Sequence, residues 1–366
     1  MRLLLVITGL GMGGAERQVC DLVDCFAMAG HEVTLVSLNG ATLNRPVDTR
    51  VRLFELNMQK TASGLISALK AVRRIILNFK PDVIHSHMVH ANIFCRLLRL
   101  IVPIPRLICT AHSTSEGGRS RMWAYRLTDQ LADISTNVSE EAVDAFVAKG
   151  ACKPGRMIAV ANGIDVEHFR FSENDRQSRR QELGLPPGGR LLLAVGRLTE
   201  AKDYPNLLRA FSLLRPQDRS LYLAIIGDGD LCQTLPHLAE TMGLAGQVHF
   251  LGMRRDINAW MSAADLFVLS SAWEGFGLVV AEAMACERVV VATNCGGVAE
   301  VIGKEGILVP VKDSQALAAA INEALDWSVE QKRRIGQAAR QRVVERFSLG
   351  AAVEKWLQLY QGKVAE

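Results

Sequence analysis

Short apolar runs alternate along the chain with longer stretches of helical period. Residues 2–8, 32–38 and 107–111 are largely apolar runs of strand length, and 83–87 reads as a further strand that opens with Val83-Ile84. Residues 15–29 repeat apolar positions three and four apart, as an amphipathic helix does when it covers a sheet. Strand followed by helix, repeated, is the pattern of stacked βαβ units around a mainly parallel sheet. The alternation lapses over a polar stretch that contains Ser172-Glu173-Asn174-Asp175-Arg176 and Pro186-Pro187-Gly188-Gly189. It resumes with strands at 191–195, 222–227, 248–251, 266–270 and 289–293. The chain of 366 residues exceeds the usual single-domain length of about 100 to 200, so two α/β domains are expected. Residues 1–165 form the first and 190–345 the second, with 166–189 as a linker. The last helix, around 351–361, places Val353, Trp356, Leu357 and Tyr360 on one face, and 346–366 is expected to complete the first domain.

Composition changes this picture little. The chain is 49% hydrophobic and 22% charged, without low-complexity tracts or fixed-period repeats, which excludes a disordered or solenoid protein. No uninterrupted apolar run reaches the about 18 residues of a membrane span. The apolar opening is followed by Gly9-Leu10-Gly11 and lacks a cleavage site, so it reads as a first strand and not as a signal peptide. Eight cysteines form no C-x-x-C pair and lie mostly in apolar stretches, which suits a reducing cytoplasm. The net charge of +4 is uneven: +5 over residues 1–165 and −1 over the rest. Such a bias attracts anionic lipid, phosphorylated substrate or nucleic acid. With 6% aromatic residues and no aromatic-basic motif, nucleic acid is not expected as a partner.

Three groups of residues carry candidate chemistry. Gly9-Leu10-Gly11-Met12-Gly13-Gly14 fits a glycine-rich turn between strand and helix, where backbone N–H groups approach an anion. A dinucleotide site also needs an acidic residue at the end of the second strand, and Leu35-Val36-Ser37-Leu38-Asn39-Gly40 offers none. His85, His87 and His90 cluster at a strand end, where alternate residues point the same way. No cysteine or carboxylate beside them completes a zinc site, so cleft lining or packing is the expected role. Most specific is Glu274-Gly275-Phe276-Gly277-Leu278 after a strand, with Glu282 in the helix that follows. Glu282 lies about 7.5 Å along the axis from Gly277, which matches the reach from a diphosphate at the helix start to a ribose or sugar ring. Spacing alone also fits two ordinary glutamates near a helix start.

Glu274 and Glu282 resemble the E-x7-E signature of retaining glycosyltransferases of the GT-B fold, specifically family GT4. The resemblance runs through nearly the whole chain. Gly13-Gly14-Ala15-Glu16 is similar to the family's first-loop motif, His87 ends an Asp-x-x-His-x-His strand, and His112 stands at the active-site histidine. Asn162-Gly163-Ile164-Asp165, Gly196-Arg197, Lys202, Gly227-Asp228-Gly229 and Gly296-Gly297 follow in register. The chain departs at Cys286-Glu287-Arg288-Val289, where Gly-x-Pro is common, and at Asn294, where Asp is common.

The resemblance implies two Rossmann-like domains facing across a cleft. It implies transfer, with retention, of a hexose or N-acetylhexosamine from a nucleotide sugar, by preference a UDP-sugar, to a glycan. The expected acceptor is a polyprenyl-diphosphate-linked saccharide of bacterial surface polysaccharide synthesis, such as lipopolysaccharide O-antigen or capsule. It assigns catalysis to His112 and Glu274, and donor binding to Gly13, Gly14, Arg197, Lys202, Gly275, Phe276, Gly277, Leu278 and Glu282. Arg197 and Lys202 would neutralise the diphosphate, so neither a metal nor a cofactor is expected. A GDP-sugar donor, or a sugar-nucleotide epimerase of similar fold, is the alternative. The helix at 65–80 sets Lys70, Arg73, Arg74 and Lys80 among apolar residues. Covering a sheet explains that pattern, and so does peripheral contact with an anionic membrane at the inner face of the cell membrane.

Overall fold

The computed structural model describes residues 1–114, 116–214 and 220–363. The chain divides into two compact units, Met1–Gly163 with Leu349–Glu366, and Ile164–Ser348.

The first unit is a seven-stranded parallel sheet in the order β3-β2-β1-β4-β5-β6-β7. Its elements run β1 (Arg2–Ile7), α1 (Gly14–Met28), β2 (Glu32–Ser37), β3 (Arg52–Glu55), α2 (Ala62–Phe79), β4 (Val83–His87), α3 (Val89–Leu98), β5 (Leu107–Thr110), α4 (Arg119–Thr128), β6 (Ile134–Asn137), α5 (Glu140–Ala148) and β7 (Met157–Ala159). The apolar run in β1 is continuous because both of its faces are covered. Leu3, Leu5 and Ile7 pack against α1, and Leu4 and Val6 against α2 and α3.

The second unit opens with α6 (Glu173–Glu182). Its six-stranded sheet, in the order β10-β9-β8-β11-β12-β13, is parallel as well. Its elements are β8 (Arg190–Val195), α7 (Tyr204–Leu214), β9 (Leu221–Ile226), α8 (Thr234–Thr241), β10 (Val248–Phe250), α9 (Ile257–Ala263), β11 (Leu266–Leu269), α10 (Leu278–Ala285), β12 (Val289–Thr293), α11 (Val298–Ile302), β13 (Ile307–Val309), α12 (Ser314–Asp326) and α13 (Val329–Phe347). The last helix, α14 (Leu349–Tyr360), belongs to the first unit. There Trp356, Leu359 and Tyr360 join the core beside α1, with the rings of Tyr360 and Phe26 centred 5.5 Å apart.

The expected linker at 166–189 is corrected by α6, which is an integral part of the second unit. None of its side chains is buried, so it shows no apolar face to read. Polar bonds dock it instead. Ser172 caps it by accepting the Asp175 N–H at 3.2 Å, and Arg176 donates to the carbonyls of Ala263 and Ala264 at 3.0 Å each. Arg176 and Arg180 also pair with Asp265, which accepts the Leu191 N–H at the start of β8 at 2.7 Å.

In each sheet the strand order reverses beside the first strand, between β1 and β4 and between β8 and β11. Connections leave to opposite sides at such a point, so a crevice opens at the carboxyl ends of the strands.

Candidate active site

The second unit gathers charge at its switch point. Arg197 stands exposed just beyond β8, in a loop whose Leu198 N–H donates to the Asp228 carbonyl at 2.9 Å. The neighbouring strand β11 runs into Ser270-Ser271-Ala272-Trp273-Glu274. Lys202 and Glu274 form an ion pair, and Ser271 Oγ donates to the same Glu274 oxygen at 2.7 Å. The backbone holds these side chains in place. Ser270 Oγ donates to the Lys202 carbonyl at 2.8 Å, the Ala272 N–H to the Ala201 carbonyl at 2.8 Å, and Tyr204 Oη to the Gly196 carbonyl at 3.0 Å.

The turn into α10 is tightly folded. Gly277, the residue before the helix, has φ +85°, a left-handed conformation that favours glycine. Gly296 has φ +55°, and a Cβ there would collide with the Glu274 carbonyl oxygen, so this glycine lets the loop after β12 pass against the glutamate. The Gly297 N–H then donates to the Gly275 carbonyl at 3.0 Å. Phe276 turns inward and packs edge-on against Phe347 at 5.5 Å, which leaves its backbone to the turn. Glu282 is the only charged side chain of the apolar helix α10 and is 7% exposed, one turn beyond Leu278. Carboxylates are seldom buried without a partner or a ligand, and Glu282 has a partner within the protein.

The first unit gathers imidazoles at the equivalent point. His85 and His87 share one face of β4, and His112 follows β5, the next strand. His87 Nδ1 and His112 Nε2 lie 3.1 Å apart in a hydrogen bond. His85 packs against His87 with ring centres 4.0 Å apart and planes tilted by 40°, and bonds to Tyr360 Oη at 2.7 Å and Thr110 Oγ1 at 2.6 Å. The ring of Trp356 in α14 also packs against His85, with centres 4.4 Å apart. Burial pushes the His112 imidazole down to about 4, and holds His85 and His87 well below the usual histidine value. All three are neutral at neutral pH, so one of the His87–His112 pair donates to the other. His112 is held by its backbone too: its N–H donates to Glu116 Oε1 at 2.8 Å.

Gly13 and Gly14 open α1 beyond β1, with Gly13 before the helix and Gly14 as its first residue. The Leu43 and Asn44 N–H groups brace this loop on the Leu10 carbonyl at 2.8 and 3.0 Å. The Glu16 carboxylate lies against Gly13, so a side chain already meets the positive end of α1.

The fold thus unites Lys202 and Glu274 across two strand ends, and His87 with His112 across two others. Gly275, Gly277 and Leu278 line the turn into α10. Sequence reasoning did not select Ser271, Thr110, Tyr360 or Glu116, each of which is tied to a candidate residue or its neighbour. The only prior signal for Glu116 was a carboxylate four residues after His112. Among the described residues, no cluster of three or more His, Cys, Asp or Glu side chains could hold a metal ion.

Two doubly wound α/β units with such switch points have the architecture of the GT-B fold, and comparison with known proteins identifies the family. Residues 12–168 match Glycosyltransferase Family 4, and residues 175–342 match Glycosyl transferases group 1. The D-inositol 3-phosphate glycosyltransferase of Corynebacterium glutamicum is 32% identical over 309 residues, 78% of this chain and 73% of that protein. The UDP-Gal:alpha-D-GlcNAc-diphosphoundecaprenol alpha-1,3-galactosyltransferase of Escherichia coli is 24% identical over 368 residues, 95% of this chain and 94% of that one. The structure of Anabaena Alr3699/HepE in complex with UDP-glucose has the same fold, with a TM-score of 0.86 at 22% identity, covering 99% of this chain and all of that one. The chain belongs to glycosyltransferase family 4 and is a transferase enzyme.

Proposed function

We propose that the enzyme transfers a hexose or N-acetylhexosamine from a UDP-sugar, with retention, to a lipid-linked saccharide in bacterial surface glycan synthesis. The observation that carries this reading is the pairing of Lys202 with Glu274 one strand away from Arg197, beside the turn into α10. A diphosphate leaving group gains charge as the glycosidic bond breaks, and fixed cations placed there stabilise it most. Arg197 forks to phosphate oxygens and Lys202 supplies a point charge, so no metal is needed. Glu274 then faces the sugar and Glu282 the ribose, while Gly275, Gly277, Leu278 and the Phe276 backbone border the diphosphate. Gly13 and Gly14 contribute to donor binding through their backbone N–H groups.

His112 is neutral at the pH of the reaction and so is a poor source of protons. It serves as a hydrogen-bonding group beside the sugar. The acceptor proton passes to the departing phosphate, and attack occurs on the face the phosphate leaves. The HepE complex with UDP-glucose and the name of the E. coli galactosyltransferase support a UDP donor, and that name supports a diphosphate-lipid acceptor. No helix among the described residues is long and apolar enough to cross a membrane. Contact with an anionic membrane would fall to α2, which has no acidic residue and exposes Ile66 and Leu77 among Lys70, Arg73 and Arg74.

The test is product analysis with a panel of UDP- and GDP-sugars, with and without a polyprenyl-diphosphate saccharide, in excess chelator. An α-linked product from a UDP-sugar is expected, at a rate that chelator leaves unchanged. Epimerised donor in the absence of acceptor would assign an epimerase instead, and activity restored only by Mg²⁺ would overturn the metal-free mechanism.

A further inference from the structure

We propose that Glu116 is a positioning residue for His112. Its carboxylate ties the loop after β5 to α4, so that the imidazole is presented at the ends of β4 and β5, and loss of its charge releases the loop. This inference rests on the reading that His112 takes part in transfer.

Between β5 and α4, the described residues 112–114 and 116–118 are His, Ser, Thr, Glu, Gly and Gly, with no aliphatic side chain to fix them. The loop backbone must therefore be held by polar bonds. Glu116 supplies the central one by accepting the His112 N–H at 2.8 Å through Oε1, while Oε2 accepts the hydroxyl of Tyr125. Tyr125 is itself anchored. Its oxygen receives Asn92 Nδ2 from α3 at 2.9 Å, and its ring packs edge-on against Phe146 of α5 at 5.4 Å. Other bonds hold the loop's flanks: Asn137 Nδ2 reaches the Ser113 carbonyl at 3.2 Å, Lys149 Nζ the Thr114 carbonyl at 2.6 Å, and Arg121 Nη1 the Glu116 carbonyl at 3.2 Å. At Glu116 both carboxyl oxygens accept and neither donates, which is the bonding of the ionised group. A proton on Oε2 directed at Tyr125 would take the place of the Tyr125 hydroxyl hydrogen in this bond and leave that hydrogen without its acceptor.

The charged and titratable neighbours are Tyr125 and Arg121 of α4, Arg96 of α3, neutral His112 with His87 behind it, and Lys149 at the loop's edge. Burial outweighs the help of Tyr125, the His112 N–H, Arg121 and Arg96, and pushes the Glu116 carboxyl up to about 7. The two consequences have opposite signs. The folded protein holds this proton more tightly than the unfolded chain does, so the group favours folding as pH falls through about 7 and opposes it as pH rises. The loop is best ordered above that range. A residue that only supported the fold would move rate and stability together.

The experiment measures kcat, donor KM and melting temperature from pH 5.5 to 9 for the full chain and for E116Q, Y125F and H112A. The wild type is expected to lose kcat on the acid side with a midpoint near 7, while UDP affinity stays level. E116Q should lose this acid limb and show kcat about tenfold lower at pH 8, the worth of one charge-assisted hydrogen bond, with KM unchanged. Y125F keeps the carboxylate but removes a donor to it, and should move the midpoint up by about one pH unit. A wild-type limb in E116Q, an unmoved midpoint in Y125F, or a change confined to KM would overturn the inference. Full activity in H112A would overturn the underlying reading of His112. An inactive H112A beside a wild-type pH profile in E116Q would overturn the role of Glu116 alone.

Discussion

The two units repeat one topology and fill its equivalent point with opposite chemistry. Beyond β1, β4 and β5 stand glycines and neutral, buried imidazoles. Beyond β8, β11 and β12 stand Arg197, the Lys202–Glu274 pair and the glycine at 296. Strand order decides where a site can form, and the side chains at the strand ends decide what it does. The neutral half suits hydroxyl groups, whose orientation needs hydrogen bonds without charge. The ionic half suits a diphosphate. Three changes would sharpen or break this contrast.

The largest effect is expected from Lys202→Ala. It removes one of the two cations assigned to the proposed leaving group and strips Glu274 of its ion-pair partner, so kcat should fall by about 10² to 10³. Lys202→Met, of similar length, should fall equally if charge is what matters. Steady-state rates decide it, and a loss of less than a few fold would mean that Lys202 only organises the loop.

Next come the two glutamates, which should fail differently. Glu282→Ala should raise donor KM by at least about tenfold with kcat nearly unchanged, because the ribose alters little during reaction. Glu274→Ala should chiefly lower kcat and leave UDP affinity intact, since its proposed substrate contact is the reacting sugar. Calorimetry with UDP beside steady-state kinetics separates them, and reversed outcomes would exchange the two assignments.

The smallest effect concerns acid stability. His85, His87 and His112 have folded values below the 6.5 of an unperturbed histidine, through burial first, so the unfolded chain binds their protons more readily. Their neutral burial therefore costs nothing above about 6.5, and stability is lost as pH falls below it. Glu116 opposes this loss in part, because its value is displaced upward. Hydrogen-exchange protection, after correction for the slower intrinsic exchange in acid, should fall in β4 and β5 before β8 and β11 between pH 7 and 5. An equal fall in both sheets would remove the contrast.

The parallel sheets were legible because strands covered on both faces are largely apolar, as in β1, β8, β11 and β12. Among the strands not read were β3, β6 and β7. β3 is a short, largely exposed edge strand, and the Ser135-Thr136-Asn137 run of β6 is polar although buried. Ser135 there accepts Arg96 at 2.9 Å, and Thr136 bonds to Thr110 at 2.7 Å, so hydrogen bonds stand in for apolar burial. Helix α6 escaped for the same reason, since its docking is ionic.

At the site, the turn Glu274-Gly275-Phe276-Gly277 and Glu282 were recognisable because turn, helix start and carboxylate spacing are local properties. The amino-acid sequence by itself thus determined the class of fold, the family and the residues contributed by single loops. Only the tertiary structure decided that Glu274 is paired with Lys202, that Phe276 faces inward, that His85 is clamped by Tyr360 and that Glu116 holds His112. The first and third of these partners are 72 and 275 residues apart. Even the near neighbours Glu116 and His112 depend on Tyr125 and Asn92 from two different helices. Local pattern reports which way a residue faces within its own element. The electrostatics of a buried group depend on partners that only packing brings within a few ångströms.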